Sequence, residues 1–294
     1  MFYPTYPNGE FSLGLSMPVK SHKCPPKPPE TRERKGQGFS SHGRRMVRNG
    51  AWWLEKNFGK ARLSFLTCTL PDRSLELMEA SGEAAALWAE IVRQFEQWLK
   101  RQLRTHQLCD FIVGVTEVQP DRWKDSQKVG LHLHWAFQGR ATYRGDWAIG
   151  KKRFLAGWLK IVSNVLGQKI QSSSATRVER VKKSVENYLS KYMSKGGEFI
   201  TEIIVAGKRD LLPTSWWNIS FELRRIIKSL IIPISEQAKN VLYDTREALK
   251  EQGIIQWFYV HEIDIVQSHG ELMTIPVAFV GKFAKPEYRE MFNY

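Results

Sequence analysis

The sequence predicts an α+β domain built on an antiparallel sheet, and three observations carry that reading. Hydrophobic periodicity between residues 61 and 195 switches in the order strand, helix, strand, strand, helix, strand, helix. The two middle strands are joined by the polar stretch PDRWKDSQK and so can pair antiparallel. At 42% hydrophobic and 12% aromatic residues, the 294-residue chain has enough apolar surface for a real core.

Each element has its own signal. From residue 61, ARLSFLTCTLPD alternates apolar residues with hydroxyls and stops at Pro71, a strand that places Thr67 and Thr69 on one face. Between Glu83 and His106, Ala84, Leu87, Trp88, Ile91, Phe95, Trp98 and Leu99 recur at three- and four-residue spacing and predict an amphipathic helix. DFIVGVTEVQ (110–119) and VGLHLHWAFQG (129–139) read as strands. A second helix follows over Trp147 to Leu166, with Phe154, Leu155, Trp158, Leu159, Val162 and Leu166 as its apolar stripe. ATRVERVK reads as a further strand. Ser184 to Lys195 has helical periodicity, closed by Gly196 and Gly197. Helices mainly on one face of the sheet are expected.

Outside this region the signal is weaker. Residues 1–48 hold seven of the thirteen prolines among basic residues, and predict a poorly ordered basic arm. Residues 49–200 form the main domain. Residues 201–294 form an accessory segment with helices expected near Phe221 to Ser229 and Ser235 to Gln252, and a strand at IIQWFYVHEID. The adjacent tryptophans of TSWWNIS (214–220) pack a core more often than they stack on bases.

Charge narrows the partners. With 44 Lys and Arg against 30 Asp and Glu, the net charge is +14 and points to a polyanion, either nucleic acid or an anionic membrane face. No stretch approaches 18 consecutive apolar residues, and the N-terminus does not read as a secretion signal. Cys24, Cys68 and Cys109 form no CxxC pair, which suits a reducing, cytoplasmic setting and neither a disulfide framework nor a zinc ribbon.

Two motifs carry chemistry. Within LHLHWAF, strand geometry puts His132 and His134 on one face and Leu131, Leu133, Trp135 and Phe137 on the other. A lone HxH is equally the pattern of two core histidines. Glu117, a carboxylate inside the apolar run IVGVTEV of the preceding strand, adds a third donor, an oxygen, of the kind a catalytic metal needs. Gln119 lies two residues on, on the same face, as an alternative donor. YLSKYMSK then repeats YxxK: Tyr188 and Tyr192 share a helix face, as do Lys191 and Lys195. A phenol attacks only a polarised electrophile with positive charge nearby, which the lysines and a metal supply. An ordinary amphipathic helix has the same spacing.

FLTCTLP, then HLH preceded by Glu117 and Gln119, then YLSKYMSK, in that chain order, resembles the three motifs of the HUH-superfamily rolling-circle replication initiators, in their twin-tyrosine form. The resemblance spans about residues 61–197. It implies the HUH endonuclease fold, with a five-stranded antiparallel sheet and the HUH strand at its centre. It also implies a divalent cation, Mn²⁺ or Mg²⁺ before Zn²⁺, on His132, His134 and Glu117 or Gln119. Tyr188 and Tyr192 become nucleophiles that attack single-stranded or hairpin origin DNA and leave a 5′-phosphotyrosine, with Lys191 and Lys195 on the scissile phosphate or the metal's water shell. DNA contacts are expected from Arg122, Lys124 and Lys128 in the inter-strand loop and from Arg44, Arg45 and Arg48 beside the arm. No GxxxxGK[ST] occurs, so a host helicase and polymerase are the expected partners. A transposase or relaxase of the same superfamily, and a non-catalytic origin-binding regulator, are the alternatives.

Overall fold

The computed structural model describes residues 3–14, 39–142, 146–194, 197–266 and 272–292. The chain divides into two units, a central one of residues 34–225 and a terminal one of residues 1–33 with 226–294. The chain opens with β1 (Tyr3–Thr5) and β2 (Glu10–Gly14). The central unit then runs α1 (Ser41–Phe58), β3 (Leu63–Thr69), α2 (Asp72–Ser81), α3 (Ala84–Thr105) and β4 (Ile112–Val118). It continues through α4 (Pro120–Ser126), β5 (Leu131–Gln138), α5 (Lys151–Leu166) and β6 (Thr176–Arg180). Next come α6 (Val185–Ser194), α7 (Gly197–Val205), β7 (Trp217–Ile219) and α8 (Phe221–Ser229). The chain ends with β8 (Ile232–Ile234), α9 (Glu236–Asp244), α10 (Arg246–Glu251), β9 (Ile255–Val266) and β10 (Leu272–Phe283).

The α+β class is as the sequence predicts, and the central sheet has five antiparallel strands in the order β6-β3-β5-β4-β7. The strand that carries the histidines is the middle one. Its Leu131, Leu133, Trp135 and Phe137 are buried together with Trp88, Ile91, Phe95 and Leu99 of α3 and Phe154 and Trp158 of α5. Phe95 stacks on Trp135 with ring centroids 5.4 Å apart, and Trp158 meets Phe95 edge-on at 5.0 Å. Such aromatic pairs add about 0.5–1.5 kcal/mol each beyond the area they bury. This face is the thick one, shared also by Leu75 and Met78 of α2 and Ile200 and Ile203 of α7.

The opposite face is covered as well, so helices lie on both sides and the layering is thicker than the one-sided arrangement expected. Here α1 comes close because Gly50 has no side chain: a Cβ would stand 2.8 Å from Val113 and 3.6 Å from Ile219. α6 lies on this side too, with Phe65 of β3 stacked on its Tyr188. Its Val185, Leu189 and Met193 are buried, as are Met46, Val47, Ala51 and Leu54 of α1.

The expected boundaries need correction at both ends. Residues 1–48 are not all an arm: β1 and β2 pair with β8 and β10 in a second five-stranded sheet, β8-β1-β2-β10-β9, with Phe11 and Leu13 in a core with Phe279 and Phe283. The prolines and lysines of residues 15–38 lie outside the described residues. α1 starts within the same expected arm, where the Ser40 hydroxyl accepts the Gly43 N–H at 3.0 Å. At the other end the main unit runs past residue 200, because β7 pairs with β4 and completes the sheet. Trp216 of the TSWWNIS segment is buried in the core and Trp217 stands half-buried on β7.

Gly114 of β4 tests the packing of the thick face, since a Cβ there would run into the Trp135 indole and the His134 carbonyl. Gly114→Ala is expected to lower the stability of the chain by about 1–3 kcal/mol through overpacking, read as a drop in urea midpoint. An unchanged midpoint would show that the Trp135 layer yields freely.

Candidate functional site

The site is assembled by strand register. On β5, His132 is opposite Glu117 of β4 on one side and Thr69 of β3 on the other, while His134 is opposite Val115 and Thr67. Period-two alternation turns the histidines, Glu117 and both threonines onto the face away from Trp135. The Glu117 carboxylate reaches diagonally to His134, with Oε2 2.8 Å from Nε2. Both residues are buried, at 7% and 3% exposure, so neither group exchanges this contact for water.

The threonines complete the arrangement. The Thr67 hydroxyl lies 3.1 Å from His134 Nδ1, and the Thr69 hydroxyl 3.0 Å from His132 Nε2. A hydroxyl both donates and accepts, so Thr67 can satisfy Nδ1 in either tautomer and fixes the plane of the ring. Sequence reasoning placed the two threonines on one face, but their role beneath the histidines needed the register.

Donor atoms of Glu117, His132 and His134 lie within 4.8 Å of one another, a group that can hold a metal ion. Two imidazoles and one carboxylate fit a hard or borderline divalent cation. Burial drives the His132 imidazolium down from 6.5 to about 3, assisted by His134 and the Arg122 guanidinium, so the ring is neutral as a ligand must be. Gln119 sits at the start of α4, its N–H donating to the Gly130 carbonyl at 2.8 Å, and its buried Oε1 has no hydrogen-bond partner among the described residues.

The two tyrosines come down over this group from α6. The Tyr192 ring lies on the His134 imidazole with centroids 3.7 Å apart and planes 14° from parallel. Tyr188 stacks on Phe65 at 3.8 Å and stands 6.3 Å from the His134 ring. The two phenol rings are 5.0 Å apart between centroids. Burial, then the Tyr188 hydrogen bond, then the nearby carboxylates of Glu117 and Glu179 all push the Tyr192 hydroxyl well above the usual phenol range. It stays protonated unless positive charge is brought to it. Lys191 Nζ is 5.9 Å from the Tyr192 ring, and Lys195 lies outside the described residues.

One positioning contact gave no signal in the sequence. Glu55 of α1 accepts the backbone N–H of Val185, the first residue of α6, and Lys60 lies 3.9 Å from the same carboxylate. A carboxylate at a helix N-terminus satisfies an orphan donor and complements the helix dipole. Glu55 is 130 residues away in the chain, which is why spacing does not reveal it.

The expected DNA contacts are dispersed. The Arg122–Lys128 stretch is mostly the helix α4 and not a loop, with Trp123 buried beneath it. Arg122 donates to the Leu70 carbonyl at 3.0 Å and pairs with Asp72 at 3.2 Å, at the edge of the histidine group. Lys124 lies over the Phe199 ring at 4.9 Å, and Lys128 pairs with Glu76 at 3.1 Å. Arg44 is exposed on α1, whereas Arg45 and Arg48 are half-buried on the same helix. Comparison with protein-family models, with curated proteins and with solved structures gave no match to the chain.

Two outcomes are expected for metal-free protein. Glu55→Ala should cost about 1 kcal/mol through removal of the cap on α6, seen as faster amide exchange in residues 185–190 than in α3. His132 is protonated below 6.5 when unfolded but resists protonation down to about 3 when folded. The unfolded state therefore binds the extra proton in that window, and stability falls as pH drops through it and is full above it. A urea midpoint series should show this acid-side loss shrink in His132→Gln; an identical pH profile would mean that His132 titrates freely in the fold.

Proposed function

We propose that the chain is an HUH-type rolling-circle initiator, an endonuclease and strand transferase that cuts single-stranded origin DNA by tyrosine attack. The observation that carries the reading is the Tyr192 ring lying directly on His134, inside a group of two imidazoles and a carboxylate at the centre of the sheet. Core histidines in an ordinary packing role have no use for a second tyrosine four residues away, packed beside the first.

Glu117, His132 and His134 would hold a divalent cation whose charge polarises a phosphodiester and stabilises the phosphorane. The phenol, pushed up by burial and by carboxylates, is poorly nucleophilic by itself. A divalent cation held at the site would compensate the Glu117 and phosphate charges, and Lys191 would add its own. The tyrosine oxygen then bonds to phosphorus as the 3′-oxygen leaves, and in net balance the phenolic proton ends on the freed 3′-hydroxyl. Tyr188 and Tyr192 stand side by side, with rings 5.0 Å apart and both beside His134, so that either could take part. The 5′-phosphotyrosine conserves the bond energy for rejoining, which removes any need for ATP.

The test is incubation with Mn²⁺ or Mg²⁺ and labelled single-stranded hairpin oligonucleotides, followed by denaturing gels. A shifted protein band is expected with wild type. Chelator and His134→Ala should each abolish it while DNA binding persists, and Tyr188→Phe with Tyr192→Phe together should give no adduct. A wild-type protein that binds hairpin DNA tightly but never forms the band is a DNA-binding regulator instead. An adduct that survives the double substitution would place the nucleophile elsewhere.

A further inference from the structure

The basic surplus of the chain is confined to one unit. Residues 34–225 hold 33 Lys and Arg against 18 Asp and Glu, whereas the terminal unit holds 11 against 12. Part of that surplus lines a concavity far from the histidines. Between α3 and α5, on the outer side of the helices that cover the Trp135 face, a pocket of about 360 Å³ is lined by Arg93, Gln97, Trp98, Arg101, Lys160 and Asn164, among others.

Its chemistry is one-sided. Every charged lining residue is a cation, the remaining polar ones are amides, and no carboxylate lines it. Arg93 is neutralised by Glu90, whose oxygens it meets at 2.5 and 2.7 Å. Arg101 and Lys160 are exposed, and their side chains have no ion-pair partner among the described residues. The floor is half-buried Trp98, which α5 approaches closely at Gly157, where a Cβ would come 2.6 Å from the indole. Positions 94, 97, 98 and 101 on α3 face 157, 160, 161 and 164 on α5, so the groove is about 10 Å long at 1.5 Å per residue.

We propose that this groove is a second, non-catalytic site for single-stranded DNA, holding one or two nucleotides of the strand away from the cut. Arg101 and Lys160 engage phosphates, the Trp98 indole contacts a base, and Gln97 and Asn164 offer amides to base edges. Cations, an aromatic surface and amides in one concavity match an aromatic polyanion, and not a purely inorganic anion or an apolar peptide. The site lies across the sheet from Tyr188 and Tyr192, since Phe95 of α3 stacks on the opposite face of β5 from the histidines. It therefore takes a different stretch of strand from the one attacked. The choice of DNA as the polyanion rests on the function proposed above; the groove and its charge do not.

The test uses the full-length protein carrying Arg101→Ala and Lys160→Ala, both exposed positions, with fluorescein-labelled mixed-sequence single strands and no metal. Affinity should fall about tenfold relative to wild type, and the slope of log K against log salt should become shallower by about 1.4, at roughly 0.7 for each phosphate that is no longer neutralised. Strands carrying 4-thiothymidine should photocrosslink to the peptides around Trp98 and Lys160 in wild type. Adduct formation on a short oligonucleotide that reaches only the tyrosines should be unchanged. Unaltered affinity and slope, with no crosslink at these peptides, would overturn the proposal, as would a wild type that binds no single strand. Failure of the catalytic reading looks different: no adduct from either protein, whatever the binding and crosslinking show.

Discussion

The alternation along β5 is the constraint from which the rest follows. Leu131, Leu133, Trp135 and Phe137 must face the aromatic layer of α3 and α5, and a slip of one residue would drive two imidazoles into that layer and four apolar side chains out of it. Central position doubles the constraint. β5 is paired along its length with β3 on one side and β4 on the other, so register brings Thr67, Thr69 and Glu117 beside the histidines without any loop to hold them. A buried carboxylate next to a buried imidazole is expensive to desolvate, and only a sheet this fully paired holds it in place.

The chain pattern made this part legible. Period two in LHLHWAF and period 3.6 in residues 84–103 come from the same requirement, that one face of each element be apolar, and both elements appear where that pattern runs. What failed to show has identifiable causes. α4 starts at Pro120, which suits the first helical position but reads as a turn among polar residues. α1 has Met46, Val47, Ala51 and Leu54 at helical spacing, yet Arg44, Arg45 and Arg48 give the same stretch the look of a charged arm. β7 is three residues long and exists only because β4 leaves an edge for it.

Pairings distant in sequence were beyond reach altogether. β2 gains strand form from β10, more than 260 residues on, and nothing local in EFSLG announces that partner. β10 is itself interrupted at Pro276, where the register against β9 shifts and the missing N–H is accommodated by the irregularity. The Glu55 cap on α6 belongs to the same class. Motifs report which groups a site uses, while the contacts that aim them are written in the topology.

The site also explains why its two halves differ in legibility. Metal-competent residues advertise themselves because histidine and glutamate are rare inside strands, and each must be reconciled with burial. The tyrosines do not, since a phenol on a helix face packs as readily as it reacts. Here the packing sets both rings beside the metal-competent group: Tyr192 lies flat on His134 and Tyr188 flat on Phe65, with the two rings 5.0 Å apart. Burial holds Tyr192 in its protonated form, and the carboxylates of Glu117 and Glu179 reinforce it. On the function proposed above, positive charge brought to the group would oppose the carboxylates, which would tie the reactivity of the phenol to the arrival of the ion.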